Sequence, residues 1–247
     1  MYAPAVLRQT WKLYLETRKE TENYWAKYFT RPFAAFVVLA VRGTPLTPNQ
    51  VTILAFLTSC VGAVTMALWQ NWYGLLAAVA IYQLAYILDC VDGMLARVRG
   101  ESSRIGHLFD FLLDEIKAIG LYGAVTLRLW MMEDADLYVM AGVPLLIALA
   151  AGLSLTTFTR RPEYTGPPPP APEPAAAPGL ARRVVGLPMA AARLIVNYPA
   201  YVVFLALADR IDLYFWAYGA TVALYTLKTF AGACLKLGRP SSTKENA

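Results

Sequence analysis

Four aspartates and two glycines in the middle of this chain sit at helical spacing: Asp89, Asp92, Gly93, Ala96 and Arg97, then eight residues, then Gly106, Asp110 and Asp114. Steps of three and four put Asp89, Asp92, Gly93, Ala96 and Arg97 along one face of a helix, and Gly106, Asp110 and Asp114 along one face of the next. The connection Val98–Ile105 is short enough to make the two helices antiparallel neighbours, so the four carboxylates are expected to converge in one cleft. Like charges packed together repel unless cations compensate them. Arg97, Arg99, Arg104 and Lys117 are the nearby candidates, though Arg99 and Lys117 need not share the face. About two divalent ions would balance four carboxylates, and paired ions are a recurring device of phosphoryl chemistry. An all-oxygen ligand set favours Mg²⁺ or Mn²⁺ over zinc. Gly93, Ala96 and Gly106 lack bulk on the carboxylate faces, which leaves room for a diphosphate to approach the backbone.

The elements that position these residues are apolar. Of 247 residues, 57% are hydrophobic and 16% charged, too few charges for an ordinary soluble domain. Uncharged runs over Val51–Trp69, Tyr73–Leu88, Ala118–Leu127, Leu137–Thr159, Leu194–Ala208 and Leu213–Leu227 predict six membrane spans. The expected fold is therefore all-α, a polytopic membrane protein of six transmembrane helices. An N-terminal amphipathic helix over about residues 20–41 precedes them, bearing Tyr24, Trp25, Tyr28, Phe29, Phe33 and Phe36 among basic residues. Thr47 or Asn49 can cap the first span. Five segments follow: 1–44 juxtamembrane, 45–160 with four spans and the aspartates, 161–188 a proline-rich linker, 189–237 with two spans, and 238–247 a polar tail. No apolar stretch follows closely after Met1, so no cleavable signal peptide is expected.

The net charge of +5 is unevenly spread. Arg and Lys precede the first span, fill the loop with Arg97, Arg99 and Arg104, recur at Arg160, Arg161, Arg182 and Arg183, and follow the last span. The opposite turns carry Asn71, Asp134, Asp136, Asp209 and Asp212. By the positive-inside rule both termini and the aspartate cleft face the cytoplasm, as in a protein of the cell inner membrane. Cys60, Cys90 and Cys234 have no metal or disulfide spacing and read as small buried residues, with Cys90 turned away from the carboxylates. His107 reads as a bystander turned from the Gly106–Asp110 face.

The pattern D-x2-D-G-x2-A-R-x8-G-x3-D-x3-D resembles the signature of the CDP-alcohol phosphotransferase (CDP-alcohol phosphatidyltransferase) family, with each defining position present. Leu46–Thr52 is similar to the family's entry to its first span. The resemblance covers residues 45–130 well. It implies that Asp89, Asp92 and Asp110 bind metal, and that Asp114 both joins them and acts as general base on an acceptor hydroxyl. It implies CDP contacts from Gly93, Arg97 and Ser103, with Asn49 as a further nucleotide contact, and a homodimer. The reaction implied is transfer of a phosphatidyl group from CDP-diacylglycerol to a small polar alcohol, releasing CMP, in phospholipid biosynthesis. Segment Tyr28–Pro32 looks similar to members that use CDP-inositol, so transfer of a phospho-headgroup from a CDP-linked alcohol stays open. A cation transporter would also place carboxylates in a membrane. Against it, the aspartates gather at one end of the spans and no acidic residue continues the path along the others.

Overall fold

The structure, a computed structural model, describes residues 3–18, 24–133, 135–161, 164 and 198–237. Among the described residues all regular structure is helical and no strand occurs. The elements are α1 (Ala3–Thr17), a π-helical turn (Ala26–Thr30) leading directly into α2 (Arg31–Val41), α3 (Pro48–Leu68), α4 (Trp72–Arg99), α5 (Arg104–Glu133), α6 (Asp136–Thr159), α7 (Tyr198–Leu207) and α8 (Ile211–Leu237). Helices α3, α4 and α6, of 21, 28 and 24 residues, are long and apolar enough to cross a membrane, whose hydrocarbon core is about 30 Å thick. Helix α5 reaches 30 residues. It carries Asp110, Asp114, Glu115, Lys117 and Arg128 along its length, so only its middle reads as apolar in sequence. The proline-rich segment, apart from Arg161 and Tyr164, lies outside the described residues, as do Arg182, Arg183, Arg193 and the tail.

Of the helix expected over residues 20–41, the described part, residues 24–41, is one helical run with a widened turn near its start, where the Arg31 N–H donates to the Ala26 carbonyl; α1 is a further helix before it. Pro32 explains the widening: it has no N–H to give residue 28, and its ring crowds that carbonyl in a regular α-turn. A small core of Leu13, Tyr14, Ala34, Ala35, Val38, Val51, Val91, Met94 and Leu95 joins α1 and α2 to α3 and α4. Val91, Met94 and Leu95 occupy the back of the same helical turns whose front carries Asp92, Gly93 and Ala96. Packing on one face of α4 therefore fixes the direction of the carboxylates on the other. A larger core, with Met66, Leu75, Tyr122, Leu149, Tyr214 and Phe215, holds α3 to α8 together away from the aspartates.

Local chemistry sets the ends of α3, α4 and α5. Thr47 and Gln50 form a reciprocal cap at the start of α3: the Gln50 N–H donates to Thr47 Oγ1 at 3.3 Å and the Thr47 N–H to Gln50 Oε1 at 2.9 Å. Asn71 caps α4 by accepting from the Gly74 N–H at 2.8 Å. At the far end of α4, Gly100 adopts φ +69°, and the Glu101 N–H returns to the Ala96 carbonyl at 2.8 Å. This left-handed closure reverses the chain into α5 and is the conformation that favours glycine. Two arginines then brace α3 at both ends. Arg99 donates to the carbonyls of Leu46 at 2.6 Å, Thr44 at 2.7 Å and Val41 at 3.0 Å. Arg128, 0% exposed, donates to the carbonyls of Trp69, Gln70 and Asn71 at 2.8–2.9 Å. A guanidinium's fixed fork suits such convergent carbonyls at the ends of a helix.

Candidate active site at the aspartate cluster

Helices α4 and α5 each pack on α3 without packing on one another, and the last turns of α4 face the first turns of α5 across the space between them. One carboxylate oxygen from each of Asp89, Asp92 and Asp110 lies within 4.8 Å of the other two. Asp92 is 5% exposed, and Asp89 and Asp110 are half-buried. The buried Oδ2 of Asp92 accepts no hydrogen bond among the described residues. A carboxylate oxygen withdrawn from water without a partner is costly. Three mutually repelling carboxylates, one of them incompletely satisfied, fit a hard divalent cation with oxygen ligands.

The fourth aspartate stands apart. The Asp114 side chain is half exposed, and its Oδ1 pairs with Lys117 Nζ at 2.5 Å. The same ammonium also pairs with Asp89 Oδ1. Three carboxylates thus meet directly, and Asp114 is joined to them through Lys117. Lys117 is the residue that reasoning from the motif underweighted. Its position three residues after Asp114 and seven after Asp110 places it on their helix face, which was the available signal.

One cavity receives most of the remaining predicted residues. Asn49, Asp92, Gly93, Ala96, Ser103, Gly106 and Asp110 all line it. A Cβ on Gly106 would lie 3.0 Å from Ser103 Oγ and 3.5 Å from Asn49 Oδ1. A Cβ on Gly93 would lie 3.5 Å from Arg97 Nη1, so the Arg97 guanidinium folds back over that glycine. Asn49 is not the cap of α3, a task Thr47 performs, and its side chain is left to face Gly106 across the cavity. Ser103 is the cap of α5: its Oγ accepts from the Gly106 N–H at 3.0 Å. Its hydroxyl proton is still available to a ligand. Thr52 and His107 also line this cavity. His107, expected to face away, lies at its wall.

A second cavity lies on the other side of Asp114 and Lys117, walled by Ser59, Tyr82, Gln83, Tyr86 and Val202. Cys90 is buried behind α4, 3.7 Å from Thr30 Oγ1 and away from the carboxylates, as expected. Cys60 and Cys234 are exposed on the outside of the helices, where interior positions had been expected. Of the basic residues toward the ends of α6 and α8, Arg160 lies over the Phe111 ring at 5.3 Å, and Lys236 donates to the Tyr164 carbonyl at 2.5 Å.

A family model described as CDP-alcohol phosphatidyltransferase matches residues 45–227, well beyond the stretch up to residue 130 that the motif suggested. The bifunctional IPC transferase and DIPP synthase of Rubrobacter xylanophilus is 37% identical over 117 residues, covering 47% of this chain and 24% of that protein. Its namesake in Thermococcus kodakarensis is 39% identical over 69 residues, covering 28% of this chain and 15% of that protein. The phosphatidylinositol phosphate synthase of Streptomyces avermitilis is 29% identical over 149 residues, covering 59% of this chain and 57% of that protein. The chain thus spans less than two thirds of the length of each of these relatives. Among solved structures, Mycobacterium tuberculosis phosphatidylinositol phosphate synthase with CDP-DAG bound aligns with a TM-score of 0.49 at 19% identity, over 89% of this chain and 98% of that one. The same enzyme in complex with manganese and citrate aligns with a TM-score of 0.49 at 21% identity, over 89% and 94%. With the family model extending over three quarters of its length, from the entry to α3 into α8, the chain belongs to the CDP-alcohol phosphatidyltransferase family.

Proposed function

We propose that this protein is an integral membrane transferase that moves a phosphatidyl group from CDP-diacylglycerol to the hydroxyl of a small polar alcohol and releases CMP. The observation that carries the proposal is the buried meeting of Asp89, Asp92 and Asp110 beside a cavity walled by small residues. In this reading the three carboxylates hold Mg²⁺ or Mn²⁺, with Asp114 at the margin of the centre. The ion would neutralise the diphosphate and the charge that develops on the departing phosphate. Gly93, Ala96 and Gly106 leave the space the diphosphate needs. Arg97, Ser103 and Asn49 offer donors to the cytidine diphosphate group.

Asp114 performs the proton transfer. Lys117 engages its Oδ1, which orients the carboxylate and leaves Oδ2 for the acceptor hydroxyl. As that proton passes to Asp114, the acceptor oxygen bonds to the phosphorus distal to cytidine, and the bond from that phosphorus to CMP breaks. The gain comes from positioning and from stabilising charge as it develops. Around this centre we place six transmembrane helices, both termini and the cleft in the cytoplasm, the segments 1–44, 45–160, 161–188, 189–237 and 238–247 as distinct parts, and a homodimer.

A second donor is favoured by one observation. Two relatives bear the name bifunctional IPC transferase and DIPP synthase, which supports transfer of a phospho-headgroup from a CDP-linked alcohol such as CDP-inositol. Purified protein with Mg²⁺ or Mn²⁺, assayed for CMP release against CDP-diacylglycerol and CDP-alcohols with a panel of hydroxyl acceptors, separates the two. Release with CDP-diacylglycerol supports the first reading, and release with CDP-inositol alone the second. Ion flux in liposomes with no CMP release from any pair would refute both and favour a transporter.

A further inference from the structure

We propose that α1 is a docking helix for an anionic membrane leaflet, lying flat at the end of the spans where the aspartates gather. Leu7, Trp11 and Leu15 enter the acyl region, and Arg8 and Lys12 meet lipid phosphates. The inference rests on the integral-membrane part of the reading above and not on its transferase chemistry. Helix α1, Ala3–Thr17, lies ahead of the stretch 45–227 that the family model matches.

At about 100° per residue, α1 divides into three sectors. Leu13, Tyr14 and Thr17 form the buried one, against α2. Leu7, Trp11 and Leu15, at successive steps of four, are 49–66% exposed. Going round the helix, they fall between the buried sector and the charged one, which holds Arg8, Lys12 and Glu16. Phe33 and Phe36 of α2, 55% and 56% exposed, widen the apolar face. Between the two helices runs a groove of about 520 Å³, with Leu7, Trp11, Phe33 and Phe36 among its walls. Thr10 and Tyr14 also line it, but their hydroxyl protons go to the carbonyls of Val6 at 2.9 Å and Lys27 at 3.0 Å. Such a surface suits hydrocarbon rather than water.

The direction of the stripe is set by what holds α1. Besides the Tyr14 bond, Arg31 Nη1 donates to the Thr17 carbonyl at 3.4 Å. The core that Leu13 and Tyr14 join includes Val51 in the first turn of α3 and Val91, Met94 and Leu95 in the last turns of α4. Those turns of α4 also carry Asp92 and Gly93, so α1 sits at the level of the aspartates. A helix apolar on one side and charged on the other, held at that level, suits a place in the interface plane, its apolar face about 5–10 Å deep. Trp11 fits that depth, with an apolar ring and a polar N–H. Arg8, Lys12 and Arg18 outnumber Glu16, the one acidic residue of 3–18. Basic side chains at a bilayer surface attract anionic lipid. Two copies of this chain meeting through the same face would instead bring like charges together.

The test is quenching of Trp11 by lipid. Full-length protein is reconstituted in phosphatidylcholine vesicles that carry the same small fraction of either brominated phosphatidylcholine or brominated phosphatidylglycerol. The emission of Trp11 is the difference between wild type and Trp11→Phe, an exposed position where the change should not disturb folding. Both brominated lipids should quench it, the phosphatidylglycerol at least about two-fold more strongly, and iodide in the water should not. Arg8→Gln combined with Lys12→Gln should bring the two lipids to parity. Trp11 emission that resists both lipids would overturn the inference, with iodide quenching placing α1 in water and its absence placing a protein over the stripe. Equal quenching by the two lipids in wild type, or a preference unchanged in the double variant, would also overturn it. The emission left in Trp11→Phe comes from Trp69, Trp72, Trp130 and Trp216, all exposed toward the far ends of the spans, and from Trp25. If the lipids quench that emission and not Trp11, only this inference fails. If they quench neither, the integral-membrane reading fails with it.

Discussion

Replacing Gly106 with alanine separates the stability of the helix end from the function of the cavity. The new methyl would lie 3.0 Å from Ser103 Oγ and 3.5 Å from Asn49 Oδ1. The first distance is shorter than carbon and oxygen normally allow, so Ser103 must retreat by a few tenths of an ångström. That weakens the cap in which Ser103 Oγ accepts from the Gly106 N–H, at a cost of about 1 kcal/mol. Alanine regains roughly 0.5–1 kcal/mol over glycine inside a helix. The two terms nearly cancel, and the melting temperature should move by no more than about 3 °C. The cavity has no such offset. Displacing a positioned group by about 1 Å can cost about 100-fold in rate. A shift of a few tenths, with a methyl in the diphosphate's space, should lower kcat/KM for the CDP-linked donor by roughly ten-fold. Initial rates of CMP release against donor concentration, run beside thermal unfolding of the same preparation, measure both. A folded Gly106→Ala protein with kcat/KM within two-fold of wild type would refute the assignment of this cavity to the nucleotide.

Three further outcomes follow from the same geometry. Arg128→Met removes the hydrogen bonds that its buried guanidinium gives to the carbonyls of Trp69, Gln70 and Asn71 between α3 and α4. It should cost about 3 kcal/mol or more in thermal unfolding, with Arg128→Lys intermediate because an ammonium lacks the fork. Gly100→Ala meets no atom within 4 Å, so its cost is backbone strain alone at φ +69°. About 1–2 kcal/mol is expected, less for Gly100→Asn, by the same measurement. Asp114→Asn should lower CMP release by about 100-fold or more while Mn²⁺ binding persists, since the other three carboxylates still meet. Equal loss of both would place Asp114 inside the coordination sphere instead.

Much of this arrangement is legible in the sequence because it follows from helical spacing. The intervals from Asp89 to Arg97 and from Gly106 to Asp114 fix which residues share a face, and the short Val98–Ile105 connection brings the two faces together. What spacing does not carry is the choice among partners distant in the chain. Arg99 sits beside the motif and reads as a counter-charge for the aspartates, yet the carbonyls of residues 41–46 offered it more convergent acceptors. Lys117 takes the counter-charge role through Asp89, 28 residues away. Thr47 and Asn49 were equivalent as caps on composition alone. Gln50, three residues after Thr47, decided between them by completing the reciprocal pair and released Asn49 to the cavity. Arg128 lies just past the uncharged run Ala118–Leu127, and nothing near it in the sequence signals its role, because its acceptors lie 57–62 residues earlier. The widened turn at Ala26–Thr30 turns on Pro32, whose missing N–H acts locally but leaves no mark in hydrophobic periodicity.

The most direct test is anomalous diffraction from crystals grown with Mn²⁺ and a CDP-linked donor. The account predicts a manganese peak among the oxygens of Asp89, Asp92 and Asp110, with the diphosphate against Gly93 and Gly106. A donor bound in that cavity with no manganese beside the three carboxylates, or manganese and nucleotide found elsewhere in the protein, would contradict it.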